Sequence, residues 1–277
     1  MRLGGPLFKD WDGAEGWAAG VRAAGYRAAY CPLAPDVPEG VARKFDEVAV
    51  REGIVIAEVG AWSNPLSPDE GERTAAVEKC KRGLQLADTV GARCCVNIAG
   101  SRGKKWDGPA ASDLTPEAFA MIVDVVRDII DGVRPTRTFY TLEPMPWMYP
   151  DTADSYLELI KAVDRERFAV HFDPVNVVSS PQRYFANGAL IKEWFEKLGR
   201  WIRSCHAKDI LLQDRLTVHL DEVCPGRGAL DYGTYLRELA KLDPDMPLML
   251  EHMTEEKDYI EGAAYIRSKA KAEGLEL

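Results

Sequence analysis

Four residues, Glu143, Asp173, His206 and Glu251, are separated by 30, 33 and 45 positions, and each closes or nearly closes a short apolar run: TFYTLE, FAVHFD, IRSCHA and PLMLE. Two Glu, one Asp and one His form an oxygen-rich donor set. It suits Mn²⁺, Mg²⁺ or Co²⁺ better than the thiolates of a structural Zn²⁺ site. Taken singly, each has a plainer reading. A strand-end acid is commonly a helix cap or a solvated loop residue, and a lone strand His is commonly hydrogen-bonded in a core. Taken together they gain weight, because apolar strands ending in acids would bury unpaired charge unless a cation met them. One divalent ion per chain is expected, Mn²⁺ first, with Mg²⁺, Co²⁺ or Zn²⁺ as alternatives.

Strand alternation ranks the neighbours. Lys208 lies two residues after His206, on the same strand face. It can donate to a substrate oxyanion or pair with an acid such as Glu222 in the following HLDEVCPGRG loop. Glu222 itself reads as a substrate contact or as support for a ligand. His171 shares parity with Asp173 one layer deeper, as a core or supporting imidazole. His252 has the parity opposite to Glu251 and is expected to face the helices. Glu58 and Asn97 end the third and fourth apolar runs, where they bind substrate hydroxyls or make structural hydrogen bonds. Asn176 follows Asp173 by three positions and is a further polar candidate.

Elements must carry these residues to one place. Apolar runs at 3–7, 26–30, 54–62, 94–99, 139–143, 168–173, 202–208 and 247–251 read as strands. Helical spacing covers 14–24, 40–51, 74–90, 116–133, 153–163, 190–198, 232–242 and 255–272, with Thr115 and Pro116 opening the fourth helix and Gly91 closing the third. Strict alternation implies a parallel sheet. Eight units of about 35 residues favour a closed (β/α)8 TIM barrel, one α/β domain over 1–277, rather than an open doubly wound sheet. Neither G-x-G-x-x-G nor a P-loop occurs. In such barrels chemistry sits at the C-terminal strand ends, where the four ligand-type residues fall. Trp62, Trp106, Trp147 and Trp11 also follow strands there. Their faces suit the C–H faces of a sugar, or pack the loops. Arg102, Lys104 and Lys105 read as a phosphate contact or a solvated run.

The chain's 35 basic and 44 acidic residues give a net charge of −9, which argues against a phosphate-tracking nucleic-acid binder. The N-terminal MRLGGPLFKD has no apolar signal core, and no apolar run approaches the ~18 residues of a membrane span. Six cysteines without a C-x-x-C pair fit reduced thiols. A cytoplasmic protein acting on a small molecule, with no nucleic-acid or membrane partner, is expected; homo-oligomerisation is left open.

A divalent ion held by carboxylates leaves positions for a carbonyl and its neighbouring hydroxyl, acidifies the adjacent C–H and stabilises an ene-diolate. Two glutamates on opposite sides can remove and return the proton, giving epimerisation or isomerisation. Loss of a β-substituent would give a lyase or dehydratase. A barrel that keeps the ion as a non-catalytic binding subunit is the third reading.

The segments Leu142-Glu143-Pro144, His171-Phe172-Asp173-Pro174, His206-Ala207-Lys208-Asp209 and Leu250-Glu251 resemble the xylose isomerase-like TIM-barrel superfamily, the sugar phosphate isomerase/epimerase family. The resemblance spans most of the chain. It implies metal ligands at Glu143, Asp173, His206 and Glu251, with Glu143 and Glu251 as proton-transfer residues. The family often has His where this chain has Asn176. Its endonuclease branch uses histidines from early strands, whereas the first histidine here is His171.

Overall fold

The computed structural model describes residues 1–277. Eight parallel strands close a barrel: β1 (Arg2–Gly4), β2 (Ala28–Tyr30), β3 (Val55–Gly60), β4 (Cys94–Asn97), β5 (Tyr140–Leu142), β6 (Phe168–Phe172), β7 (Ile202–Ala207) and β10 (Pro247–Leu250). Each pairs with its neighbour in sequence order, and β10 pairs with β1 to close the ring. A (β/α)8 barrel is therefore the architecture. Closure is tight at the first strand: a Cβ on Gly4 would lie 2.5 Å from the Ala28 carbonyl oxygen and 2.6 Å from Met249 Sδ.

The helices are α1 (Gly13–Ala23), α2 (Glu39–Glu52), α3 (Glu70–Val90), α4 (Pro116–Val133), α5 (Ala153–Val163), α6 (Pro181–Phe185), α7 (Asn187–Leu198), α8 (Tyr232–Leu239) and α9 (Glu256–Ala272). Their caps follow from sequence. Thr115 accepts from the Ala118 N–H with Pro116 at the first helical position, and Gly53 and Gly91 close α2 and α3 in the left-handed region. Thr152 and Ser155 form a reciprocal cap on α5. α3 starts four residues earlier than its apolar spacing suggests, because Asp69 caps it through the Glu72 N–H. The short helix α6 is an addition, nucleated by Ser180 and Pro181.

A second addition matters more. The segment after β7 is not an irregular loop but an antiparallel hairpin, β8 (Asp209–Leu212) with β9 (Leu220–Val223), pairing Ile210 with Glu222. The apolar core fills the space between strands and helices; Trp194, Tyr156, Phe168 and Phe172 pack there in stacked and edge-on contacts. All six cysteines are free. No helix is long and apolar enough to cross a membrane.

Candidate metal centre

Inside the barrel, alternate residues form layers. The lower layer holds Glu58, His171 and Ser204, all buried. Glu58 Oε2 accepts from Ser204 Oγ (2.9 Å) and meets His171 Nε2 (2.9 Å), while its Oε1 lies 3.1 Å from His206 Nε2. The layer above holds His206 with Glu143, Asp173 and Glu251. His206 Nδ1 lies 2.9 Å from Glu251 Oε2, 3.1 Å from Glu143 Oε1 and 3.6 Å from Asp173 Oδ2. One ligand atom from each of these four residues falls within 4.8 Å of the other three.

This geometry fits a divalent cation. One ring nitrogen cannot satisfy three converging carboxylates, since it offers a single hydrogen. Asp173 Oδ2 and Glu251 Oε2 are buried and accept no well-aligned hydrogen bond, although Lys208 Nζ stands 2.6 and 3.1 Å away. Lys208 is the one ammonium at the site, with Glu222 Oε2 at 3.1 Å and Glu143 Oε1 at 4.0 Å. Glu58, Glu143, Asp173, Glu222 and Glu251 thus outnumber it, leaving negative charge that a divalent ion would neutralise. The contact of His206 Nε2 with Glu58 leaves Nδ1 facing the carboxylates, the arrangement in which a carboxylate orients a ligating imidazole.

The electrostatics follow from burial and charge together. Burial would lower the His206 pKa, but Glu251, Glu58 and Glu143 outweigh it and hold the imidazole well above its usual value. Burial would raise Asp173, yet Lys208 and His206 pull it well below the carboxylate range. The two glutamates are driven apart. Burial keeps Glu143 raised, whereas for Glu251 His206 and Lys208 prevail over burial and bring it to about 2. Asn176 Nδ2 donates to Glu143 Oε1 at 3.0 Å, which ties that carboxylate to the loop after β6.

Buried tyrosines anchor the strands that carry the site. The Tyr235 hydroxyl donates to the His206 carbonyl (2.9 Å), Tyr232 to the Lys208 carbonyl (2.8 Å) and Tyr30 to the Leu250 carbonyl (3.0 Å). Tyr156 reaches the carbonyls of Leu142 (2.7 Å) and Ala169 (2.9 Å). Burial raises these phenols, so they stay protonated donors.

Two positions take the structural alternative, and one expectation is overturned. Glu58 lies within β3, one layer below the mouth and 2% exposed, with its carboxylate taken up by His171, Ser204 and His206. Asn97 has the parity of Cys95 and faces α3, where its amide meets Ser63 and Cys80. His252 does not face the helices. Its φ of 58° breaks strand alternation and turns the ring over the mouth, with Nδ1 3.0 Å from Glu222 and 3.4 Å from Lys208 Nζ. Ser204 and the anchoring tyrosines escape sequence reasoning, although Ser204 shares His206's parity. Glu222 reaches the site on β9. Trp147 is half-buried, its Nε1 donating to the Asp107 carbonyl in the loop that carries Trp106. Trp62 packs partly against the core, Trp11 packs edge-on against Phe45, and Lys105 pairs with Asp107.

Fold and site together define a (β/α)8 barrel with a buried carboxylate–imidazole cluster at the C-terminal strand ends. The model of the xylose isomerase-like TIM barrel family matches residues 18–269, and the chain belongs to that family. No curated protein matches it. Among solved structures it is similar to the probable 3-DHS dehydratase AsbF from Bacillus anthracis, at TM-score 0.70 and 17% identity over 96% of this chain and 98% of that one. It is also similar to D-psicose 3-epimerase with D-tagatose from Clostridium cellulolyticum H10, at 0.69 and 16% over 98% and 99%. A third is a xylose isomerase-like TIM barrel protein from Mycobacterium smegmatis in complex with magnesium, at 0.67 and 18% over 95% and 90%.

Proposed function

We propose that the protein is a divalent-metal-dependent isomerase or epimerase of a sugar or keto-polyol, working by proton transfer at the carbon next to a carbonyl. The observation that carries this reading is the convergence of Glu143, Asp173, Glu251 and His206 Nδ1 into one buried cluster. These four would hold the ion, Mn²⁺ in the first instance. When bound, the ion would polarise the substrate carbonyl and stabilise negative charge developing beside it.

The chain's own residues supply the rest. Glu251, held ionised by His206 and Lys208, is suited to take a proton. Glu143, held by the Asn176 amide, is suited to return it. Lys208 directs its ammonium at the oxygens of Asp173 and Glu251 and is placed to steady a substrate oxyanion. Glu222 and His252 rim the mouth, and Trp62, Trp106, Trp147 and Asn176 are the remaining candidates for substrate contacts. The substrate is a small molecule, and the protein works in the cytoplasm.

A lyase or dehydratase acting on a keto-polyol is the second reading. The Lys208 ammonium beside Glu251 favours it, because a buried cation at the mouth can donate to a leaving hydroxyl. The likeness to a probable dehydratase is consistent with it. Product mass separates the two. Incubation with Mn²⁺ and a panel of ketoses, keto-glycosides and inososes should yield a product of unchanged mass. A product lighter by water or an aglycone would favour the lyase. No turnover of any member with Mn²⁺, Mg²⁺ or Co²⁺ would count against both.

A further inference from the structure

The opposite end of the barrel, at the N-terminal ends of the strands, holds a cavity of about 640 Å³. Its walls carry Arg93, Arg137, Arg200, Arg203 and Lys241, against one carboxylate, Asp243. The basic residues sit where strands begin: Arg93 before β4, Arg137 before β5, Arg200 and Arg203 around the start of β7, and Lys241 ahead of β10. Three of these cations are matched, Arg93 by Asp243 (2.5 Å), Arg137 by Asp46 (2.7 Å) and Lys241 by Glu238 (2.6 Å). Arg200 and Arg203 have no carboxylate partner. Arg203 uses only Nη1, on the carbonyls of Arg200 and Ile202 (both 3.0 Å), and its guanidinium lies 4.1 Å from the Phe139 ring centre. Arg200 stacks on Trp201 at 3.7 Å.

Two further observations point to an anion site. Arg93 Nε is buried without an acceptor. Arg203 is crowded: burial and then the charge of Arg93 both lower its pKa. Arg200 and Arg203 bring two charges that no carboxylate neutralises, and an anion in the cavity would neutralise them. The chain's net charge of −9 gives no general attraction for anions, so binding here has to come from this local arrangement. Planar guanidinium forks match phosphate oxygens in pairs.

We propose that this cavity is a binding site for a small phosphate-bearing anion, separate from the carboxylate site and independent of the reaction assigned to it. The test is calorimetric titration of the purified protein with inorganic diphosphate at ~0.15 M salt, in parallel with a nucleoside diphosphate. The wild type should show saturable binding at one equivalent. Arg203→Gln and Arg200→Gln should each raise Kd at least tenfold; the exposed Arg200 makes the second variant safe for folding. Equal affinity for both ligands assigns the site to the phosphates alone, and tighter binding of the nucleoside diphosphate adds a contact to its base or sugar. Absence of saturable binding by either ligand, or an unchanged Kd in folded Arg200→Gln, would overturn the proposal.

Discussion

Lys208→Met is the most informative single change at the candidate metal centre. The ammonium is 1% exposed and stands 2.6 Å from Asp173, 3.1 Å from Glu251 and 3.1 Å from Glu222. Met preserves the length of the side chain but not its charge. Removing one partner of a buried ion pair costs about 3–5 kcal/mol. Unfolding entropy of about 2.1 cal/mol/K per residue gives about 0.6 kcal/mol/K for this chain, so the metal-free variant should melt about 5–9 °C below wild type. Mn²⁺ at a hundredfold excess over its Kd contributes about 2.7 kcal/mol, or about 5 °C. That gain should be larger in the variant, where the ion also relieves the carboxylates that Lys208 no longer neutralises. Thermal melts of both proteins, chelated and with Mn²⁺, measure all four states. Equal melting of the two chelated proteins would show that Lys208 does not hold the carboxylates together. A smaller Mn²⁺ gain in the variant would refute the shared electrostatics of lysine and metal.

Other perturbations address separate parts of the site. Glu143→Gln and Glu251→Gln should each cut turnover by about 10²–10⁴ while leaving the fold intact, as steady-state kinetics and circular dichroism would show. Elemental analysis should find about one divalent ion per chain in the wild type and little in His206→Ala, since His206 Nδ1 faces all three carboxylate ligands. Tyr235→Phe should destabilise the protein by about 1–3 kcal/mol in denaturant unfolding, because the buried His206 carbonyl loses its hydroxyl donor.

The strands were legible because a barrel strand buried on both faces is a short apolar run, and its C-terminal acid marks the end. Lys208 and His171 then follow from period-two alternation, which holds from Ser204 through His206 to Lys208 and from His171 to Asp173, past the register shift between β6 and β7. The same alternation decides between the two readings of Asn97, whose parity with Cys95 directs it to α3. His252 was not accessible to that test: a non-glycine residue at φ 58° carries no local signature, and one reversed backbone step redirects the ring. The β8–β9 hairpin escaped because its strands are four residues each and Leu212, Leu220 and Val223 are only half-buried, so no strong alternation marks them. Tyrosine anchors arise from contacts between helices and strands far apart in sequence, and only the folded chain pairs Tyr235 with His206.

On the proposed reading Glu143 and Glu251 move a proton at a carbon beside a carbonyl, and these two with Asp173 and His206 would hold a divalent ion. Incubation with a turned-over keto-sugar and Mn²⁺ in deuterated water reads this directly. The wild type should place deuterium at that carbon, with exchange lost on chelation and in both glutamine variants. Turnover without deuterium entering from solvent, or exchange that persists in Glu143→Gln and Glu251→Gln, would contradict it.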